Sequence, residues 1–193
     1  MEVLLTWVKN METKKDIRRR VLDKRNQISK KEWETNSHII FEKVVTHSFF
    51  LEADKVLCFL NYQSEVDTRN IIQKAWSLKK ELYVPKIVDN TMYFYRLESF
   101  NELKEGYKGI EEPIGTELFH GKDGLVIVPG VVFDRNRNRI GYGKGFYDRF
   151  LQEHSNLKTI AIAFESQVET VIPNEQFDIK PEFLITEENI YHE

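Results

Sequence analysis

Apolar positions recur along this chain with two different periods, and the alternation between them lays out the fold. Thr13 to Gln27 reads as a basic helix, with Ile17, Val21 and, just past its end, Ile28 returning at steps of four and seven on one stripe. Lys14, Arg18 and Arg25 return at the same steps and form a second, basic arc on it. Ser29 followed by Glu32 makes a capping box that starts another helix, running to about His47. The period then changes. Lys55–Leu60 is a continuous apolar run of the kind found in strands buried on both faces. Asn61–Val66 reads as a loop, Asp67 or Thr68 caps a helix to about Lys80, and Glu81–Val84 is a second strand. Thr91–Leu97 alternates, with Tyr93 and Tyr95 on one face, and is predicted as a more exposed strand. Leu125–Val128 and Thr159–Phe164 are buried strands, and Glu182–Thr186 is a last short one. Asp134–Gly141 reads as a polar loop, followed by a helix from about Gly145 to His154. Short apolar strands alternating with helices predict an α/β fold: a three-layer α/β/α sandwich with a mostly parallel central sheet, Rossmann-like.

Composition narrows the function classes. At 193 residues the chain has the length of one domain. Residues 1–13 read as a leader, expected to be disordered, and residues 14–193 as a single domain. The formal net charge of −3 argues against a globally basic nucleic-acid binder. One cysteine, Cys58, excludes an intrachain disulfide and a cysteine-based zinc cluster and fits a reducing compartment. The longest apolar run, Leu125 to Phe133, is interrupted by Pro129-Gly130 and is far short of the roughly 20 residues of a membrane helix. A cytoplasmic monomer acting on a small molecule, with neither nucleic acid nor membrane as partner, is the expectation.

The candidate chemistry lies in Arg139-Ile-Gly-Tyr-Gly-Lys-Gly-Phe-Tyr-Asp148, where three of nine glycines fall within five residues. The segment follows a buried strand and opens a helix. Glycines there allow positive φ and turn several N–H groups toward one point, beside the positive end of a helix dipole. Lys144 and Arg139 add full charges. Together these residues make a site for a polyphosphate or another polyanion. The spacing is neither Gly-x-x-x-x-Gly-Lys-Ser/Thr nor Gly-x-Gly-x-x-Gly. A plain strand–helix turn with solvated charges is the alternative. Asp148, in the first helical turn, is either a dipole partner or a Mg²⁺ ligand against phosphate oxygens.

These residues resemble a known family. Pro129-Gly-Val-Val-Phe-Asp134 followed by Arg139 to Leu151 is similar to the signature of the 5-formyltetrahydrofolate cyclo-ligases. Lys14-Lys-Asp-Ile-Arg18 with Lys24-Arg25, Phe59 to Glu65, and Gly109-Ile-Glu-Glu-Pro113 resemble three further blocks of that family, in order. The resemblance runs from about Lys14 to Thr186. It implies conversion of 5-formyltetrahydrofolate to 5,10-methenyltetrahydrofolate with ATP and Mg²⁺, releasing ADP and phosphate, through phosphorylation of the N5-formyl oxygen and ring closure by N10. It further implies that Lys14 and Arg18 reach the ATP phosphates from the first helix. Arg139, Ile140, Gly141, Tyr142, Gly143, Lys144, Gly145, Phe146 and Tyr147 wrap the triphosphate, with Lys144 and Arg139 catalytic and Lys144 nearest the transferred group. Asp148 and Asp178 hold Mg²⁺, and Leu60 and Glu65 contact the folate. A carboxylate at 65 suits paired N–H donors of a pterin. Tyr62, Tyr107, Phe146 and Tyr147 are candidate walls for a flat ring.

Three departures stand out. Arg137 falls where the family often has glycine, so a positive φ there would be strained. Tyr142 occupies a position that varies among relatives. The C-terminal pattern His-Asp-x-x-Val-Asp reads Phe177-Asp178-Ile-Lys-Pro181-Glu182. Competing readings are a sugar-phosphate enzyme on a similar sheet, needing no ATP, and a folate-binding protein without turnover.

Overall fold

The computed structural model describes residues 12–106, 109–175 and 177–193. The expected leader, up to residue 11, and the candidate wall Tyr107 lie outside the described residues. The helices are α1 (Lys14–Arg25), α2 (Lys30–Thr46), α3 (Ser48–Glu52), α4 (Arg69–Ser77) and α5 (Phe146–Glu153). The strands are β1 (Lys55–Cys58), β2 (Glu81–Val88), β3 (Thr91–Arg96), β4 (Leu103–Glu105), β5 (Glu111–Pro113), β6 (Leu125–Val128), β7 (Val132–Asp134), β8 (Arg139–Ile140), β9 (Lys158–Ile162), β10 (Val168–Glu169), β11 (Phe183–Ile185) and β12 (Ile190–Tyr191).

The main sheet runs β12-β11-β9-β6-β1-β2-β3. Its five inner strands are parallel, and β12 and β3 close the edges antiparallel. Numbered in chain order, the parallel strands lie 2-1-3-4-5, a doubly wound arrangement whose order reverses between β1 and β6. The two faces are set by alternation. Val56, Cys58, Leu125, Ile127, Ile160 and Ile162 face the core under α2 and α4, with Ile40, Val44 and Ile72. Leu57, Val126, Val128, Ala161 and Leu184 face the other core, with Phe150 and Leu151 of α5. This is the predicted three-layer sandwich, and helices on both faces explain why its strands are continuously apolar.

Both early helices begin as their sequence dictates. Ser29 Oγ accepts from the Glu32 N–H while Glu32 reaches back to the Ser29 N–H, and Thr13 and Asp16 make the same box on α1. Helix α1 does not lie on the main sheet. Ile17 and Val21 pack against Val131, Val132, Ile140 and Ile172, on a small second sheet of order β10-β7-β8. Burial of those two side chains contributes roughly 1.5–3 kcal/mol each. The ion pairs of Arg20 with Glu12 and Glu169 lie at the surface, where solvent screens them, so apolar packing places the helix.

The second sheet corrects the sequence expectation for Asp134–Gly141. The segment is a tight β7–β8 hairpin in which Asp134, Arg137, Asn138 and Arg139 are buried. Polarity misled because the Asp134 carboxylate supplies the missing partners. Its Oδ1 accepts from the N–H groups of Asn136 (2.9 Å) and Asn138 (3.0 Å), and its Oδ2 from Asn138 Nδ2 (2.7 Å) and the Ile172 N–H (3.3 Å). Buried polar groups are tolerated when paired in this way. Arg137, with φ 64°, occupies the left-handed corner of the hairpin, as the departure from glycine implied. Its Nη1 donates to the Glu182 carbonyl at 3.0 Å, which offsets part of the strain.

Candidate functional site

The loops at the carboxyl ends of β1, β6 and β9 meet where the strand order reverses, the position at which doubly wound sheets bind ligands. A narrow cleft there is lined by Arg25, Phe59, Glu65, Pro129, Gly130 and Gln167, among others. Glu65 is 7% exposed. Its Oε2 accepts from the Tyr62 N–H at 2.8 Å and its Oε1 from the Tyr142 hydroxyl at 2.5 Å. Burial raises its carboxyl pKa, opposed by those two hydrogen bonds and by the Arg25 charge. Trp33 Nε1 donates to the Glu65 carbonyl at 2.7 Å and fixes the backbone. Leu60 is buried in the core under α2 and α4. Tyr62, half-buried, contributes its backbone N–H to Glu65.

The glycine segment forms the adjoining wall. Gly143 (φ 96°) and Gly145 (φ 63°) take the left-handed conformation that other residues adopt only under strain. At Gly143 the need is conformational, since the nearest group, the Arg18 guanidinium, would lie in ordinary contact at 3.5 Å from an added Cβ. Gly145 caps α5 with no side chain on the first-turn N–H groups, which leaves them open to an anion. Between these glycines Lys144 is exposed and, among the described residues, pairs with no carboxylate. Phe146 lies under the Arg149 guanidinium, 5.2 Å from its ring centroid.

The α1 basic arc, whose spacing places Lys14, Arg18 and Arg25 on one face, meets this segment through Arg18. Arg18 Nε donates to the Gly141 carbonyl at 2.7 Å. Lys14 Nζ donates to Asp178 Oδ2 at 2.7 Å and lies 3.2 Å from Glu175 Oε1. Arg139 Nη2 donates to Asp148 Oδ1 at 2.6 Å, and Asp148 Oδ1 also accepts from the Ile179 N–H at 3.2 Å. Each acid expected to hold a metal is therefore paired with a cation expected to hold phosphate. The two acids sit on neighbouring ground, since Ile179 follows Asp178. Among the described residues no three acids, histidines or cysteines converge into a metal cluster. Two carboxylates are nonetheless a donor set that suits Mg²⁺ completed by phosphate oxygens.

Several buried polar atoms here lack partners: Arg139 Nε, Arg25 Nη1 and the Tyr147 hydroxyl. Burial raises the Tyr147 phenol pKa well above its ordinary value, so it stays a donor at neutral pH. Such orphans are uncommon in a finished interior and fit a site shaped for a polar ligand. Sequence reasoning gave no role to Arg25, although it stood on the arc with Lys14 and Arg18. It is 2% exposed and borders the cleft.

The family model of the 5-formyltetrahydrofolate cyclo-ligase family matches residues 10–187. A probable 5-formyltetrahydrofolate cyclo-ligase of Caenorhabditis elegans is 29% identical over 192 residues, covering 91% of this chain and 93% of the relative. The Mus musculus 5-formyltetrahydrofolate cyclo-ligase is 29% identical over 191 residues, covering 91% and 94%. The NMR structure of Aquifex aeolicus 5,10-methenyltetrahydrofolate synthetase superposes with a TM-score of 0.83 at 31% identity, covering 93% of this chain and 92% of that one.

Proposed function

Because the chain belongs to the 5-formyltetrahydrofolate cyclo-ligase family, we propose that it converts 5-formyltetrahydrofolate to 5,10-methenyltetrahydrofolate with MgATP, releasing ADP and phosphate. The observation that carries the reading is the meeting of two unlike subsites at the strand-order reversal. One is a narrow cleft with a buried carboxylate, and the other is a glycine turn ringed by Lys14, Arg18, Arg139 and Lys144. The buried carboxylate suits the N–H donors of a flat ring once Tyr142 vacates the closed cleft, and the turn suits a polyphosphate.

The formyl oxygen belongs to an amide and leaves poorly. ATP bound with Mg²⁺ supplies a phosphoryl group that makes that oxygen a leaving group. Glu65 accepts the pterin N–H donors and fixes the ring. Lys144 and the open N–H groups after Gly145 neutralise charge where the phosphoryl group moves, and Arg139, Lys14 and Arg18 hold the remaining phosphates. Asp148 and Asp178 would hold Mg²⁺ once their cations turn to phosphate. N10 attacks the formyl carbon, its proton goes to solvent, and the oxygen departs as phosphate. The residues position and neutralise rather than exchange protons.

The test mixes the protein with 5-formyltetrahydrofolate, Mg²⁺ and ATP and follows the near-ultraviolet band of the methenyl product alongside ADP. A stoichiometric rise of both, absent without ATP, is expected. Tight folate binding without product would sustain the non-catalytic reading instead, and neither binding nor product would remove both.

Glu65 adds a pH dependence. Its pKa is raised on folding, so its contribution to stability is fully present below its unfolded value and is lost as pH rises through the folded value. Binding has the opposite slope, because N–H donors need the ionised carboxylate. Titration calorimetry should show folate affinity weakening on acidification, at a pH where an ordinary glutamate is still ionised. Glu65→Gln should flatten the profile. A wild-type profile as flat as that of the variant would sink this role.

A further inference from the structure

Arg25 and Glu65 are both nearly fully buried and border the same cleft, yet they form no ion pair with each other, and among the described residues Arg25 pairs with no other carboxylate. Buried charges are ordinarily paired directly, because desolvation of an unpaired one is costly. Here one neutral group stands between them. The Tyr142 hydroxyl accepts from Arg25 Nη2 at 3.1 Å and donates to Glu65 Oε1 at 2.5 Å. Arg25 Nε is spent on Ser64 Oγ at 3.0 Å, and its Nη1 has no partner at all. Tyr142 hangs from the glycine turn with half of its surface exposed, so its ring can swing out without opening the core. The cleft thus holds a donor and an acceptor side by side, with a removable hydroxyl at the point where they converge.

We infer that Arg25 is a substrate-binding residue, the donor half of a recognition pair whose acceptor half is Glu65, and that the Tyr142 hydroxyl holds the place of the ligand in the free protein. The complementary ligand edge carries an N–H next to a C=O on a flat ring. Resting on the function proposed above, that edge is the 3-NH and 4-oxo edge of the pterin. Glu65 accepts from the ring N–H groups, and Arg25 Nη1 and Nη2 donate to the carbonyl oxygen. A ring with an amino group in place of that carbonyl would set donor against donor, and a site left with unpaired buried groups rejects such an analogue strongly.

The test is titration calorimetry without nucleotide, using 5-formyltetrahydrofolate and its 4-amino-4-deoxy analogue. Wild type should prefer the 4-oxo ligand by tenfold or more. Arg25→Gln should bind that ligand at least tenfold more weakly and change affinity for the 4-amino analogue less than threefold, so the preference collapses. Arg25→Lys, which keeps the charge but not the fork, should lose part of the preference and serves if the glutamine variant does not fold. Tyr142→Phe should bind the 4-oxo ligand at least as tightly as wild type. Equal weakening for both ligands in the Arg25 variants would make its role structural and overturn the inference. A loss of more than fivefold in Tyr142→Phe would make the hydroxyl itself the contact and overturn it too. Failure of wild type to bind either ligand would instead overturn the functional reading, and this inference with it.

Discussion

Lys144→Ala is expected to lower kcat by about 10²–10³, the usual cost of removing one preorganised charge-stabilising group, while the folate Kd stays within twofold. The structure separates the two effects. The Lys144 side chain is exposed and forms no ion pair among the described residues, so the fold does not depend on it. A substitution at such a position usually shifts stability by less than about 0.5 kcal/mol. The backbone beneath it is nevertheless held, because Arg149 Nη1 donates to the Lys144 carbonyl at 2.8 Å. The ammonium is thus on a fixed base and free to turn toward incoming charge. Steady-state kinetics and a folate titration on the same preparation decide the matter. Turnover near wild type would remove Lys144 from the chemistry, and a parallel loss of folate affinity would move it to the substrate side.

Asp148→Asn is the second large effect, and it should appear in stability as well as in turnover. The Arg139 side chain is 4% exposed, and Asp148 is its anionic partner at 2.6 Å. Breaking a buried pair by removing one charge costs roughly 3–5 kcal/mol. The asparagine still accepts a hydrogen bond and Asp148 is 24% exposed, so about 2 kcal/mol is the expected loss. For a chain of this size that is a fall of roughly 4–8 °C in Tm. Turnover should fall far more than stability, because the same carboxylate is proposed to hold Mg²⁺. Adding ATP without metal should restore some of the lost Tm in the variant, since phosphate oxygens then satisfy Arg139 without opposition from the acid. A variant as stable as wild type would show that Arg139 does not need its anion. Near-normal turnover at ordinary Mg²⁺ would show that Asp148 is not the metal ligand.

The layered sheet was legible because period-two runs such as Lys55–Leu60 and Leu125–Val128 are apolar on both faces, which only helices on both sides can satisfy. The capping box at Ser29 fixed one helix start for a local reason, whereas the box that Thr13 makes with Asp16 emerged only in the structure. The basic arc of α1 was legible in its spacing and does face the glycine segment, through Arg18 and Gly141. What stayed hidden was whatever depended on distant partners. Asp134–Gly141 looked solvated, and its burial follows from the four hydrogen bonds collected by one carboxylate, including one from Ile172. Arg25 looked like one more surface cation, and only the meeting of α1 with the loop after β1 buries it. The strands β4, β5 and β12 are three residues long or shorter, below the length at which alternation is detectable. Lys144 and Asp148 were candidates from their place beside the glycines, whereas the role of Asp178 came from resemblance alone.

The contact between Lys14 and Asp178 joins residues 164 positions apart. Helix α1 therefore cannot take its final place until nearly the whole chain has left the ribosome behind it. Local elements such as the β2–β3 hairpin form early, but ends this far apart meet only after a large loss of chain entropy. During synthesis α1 must wait, capped at Thr13 and with its apolar stripe uncovered, for the small sheet that receives it. Binding competence is in this sense a checkpoint on completeness. A chain ending before Asp178 can build most of the central sheet and still lack the anchor that holds Lys14 at the site.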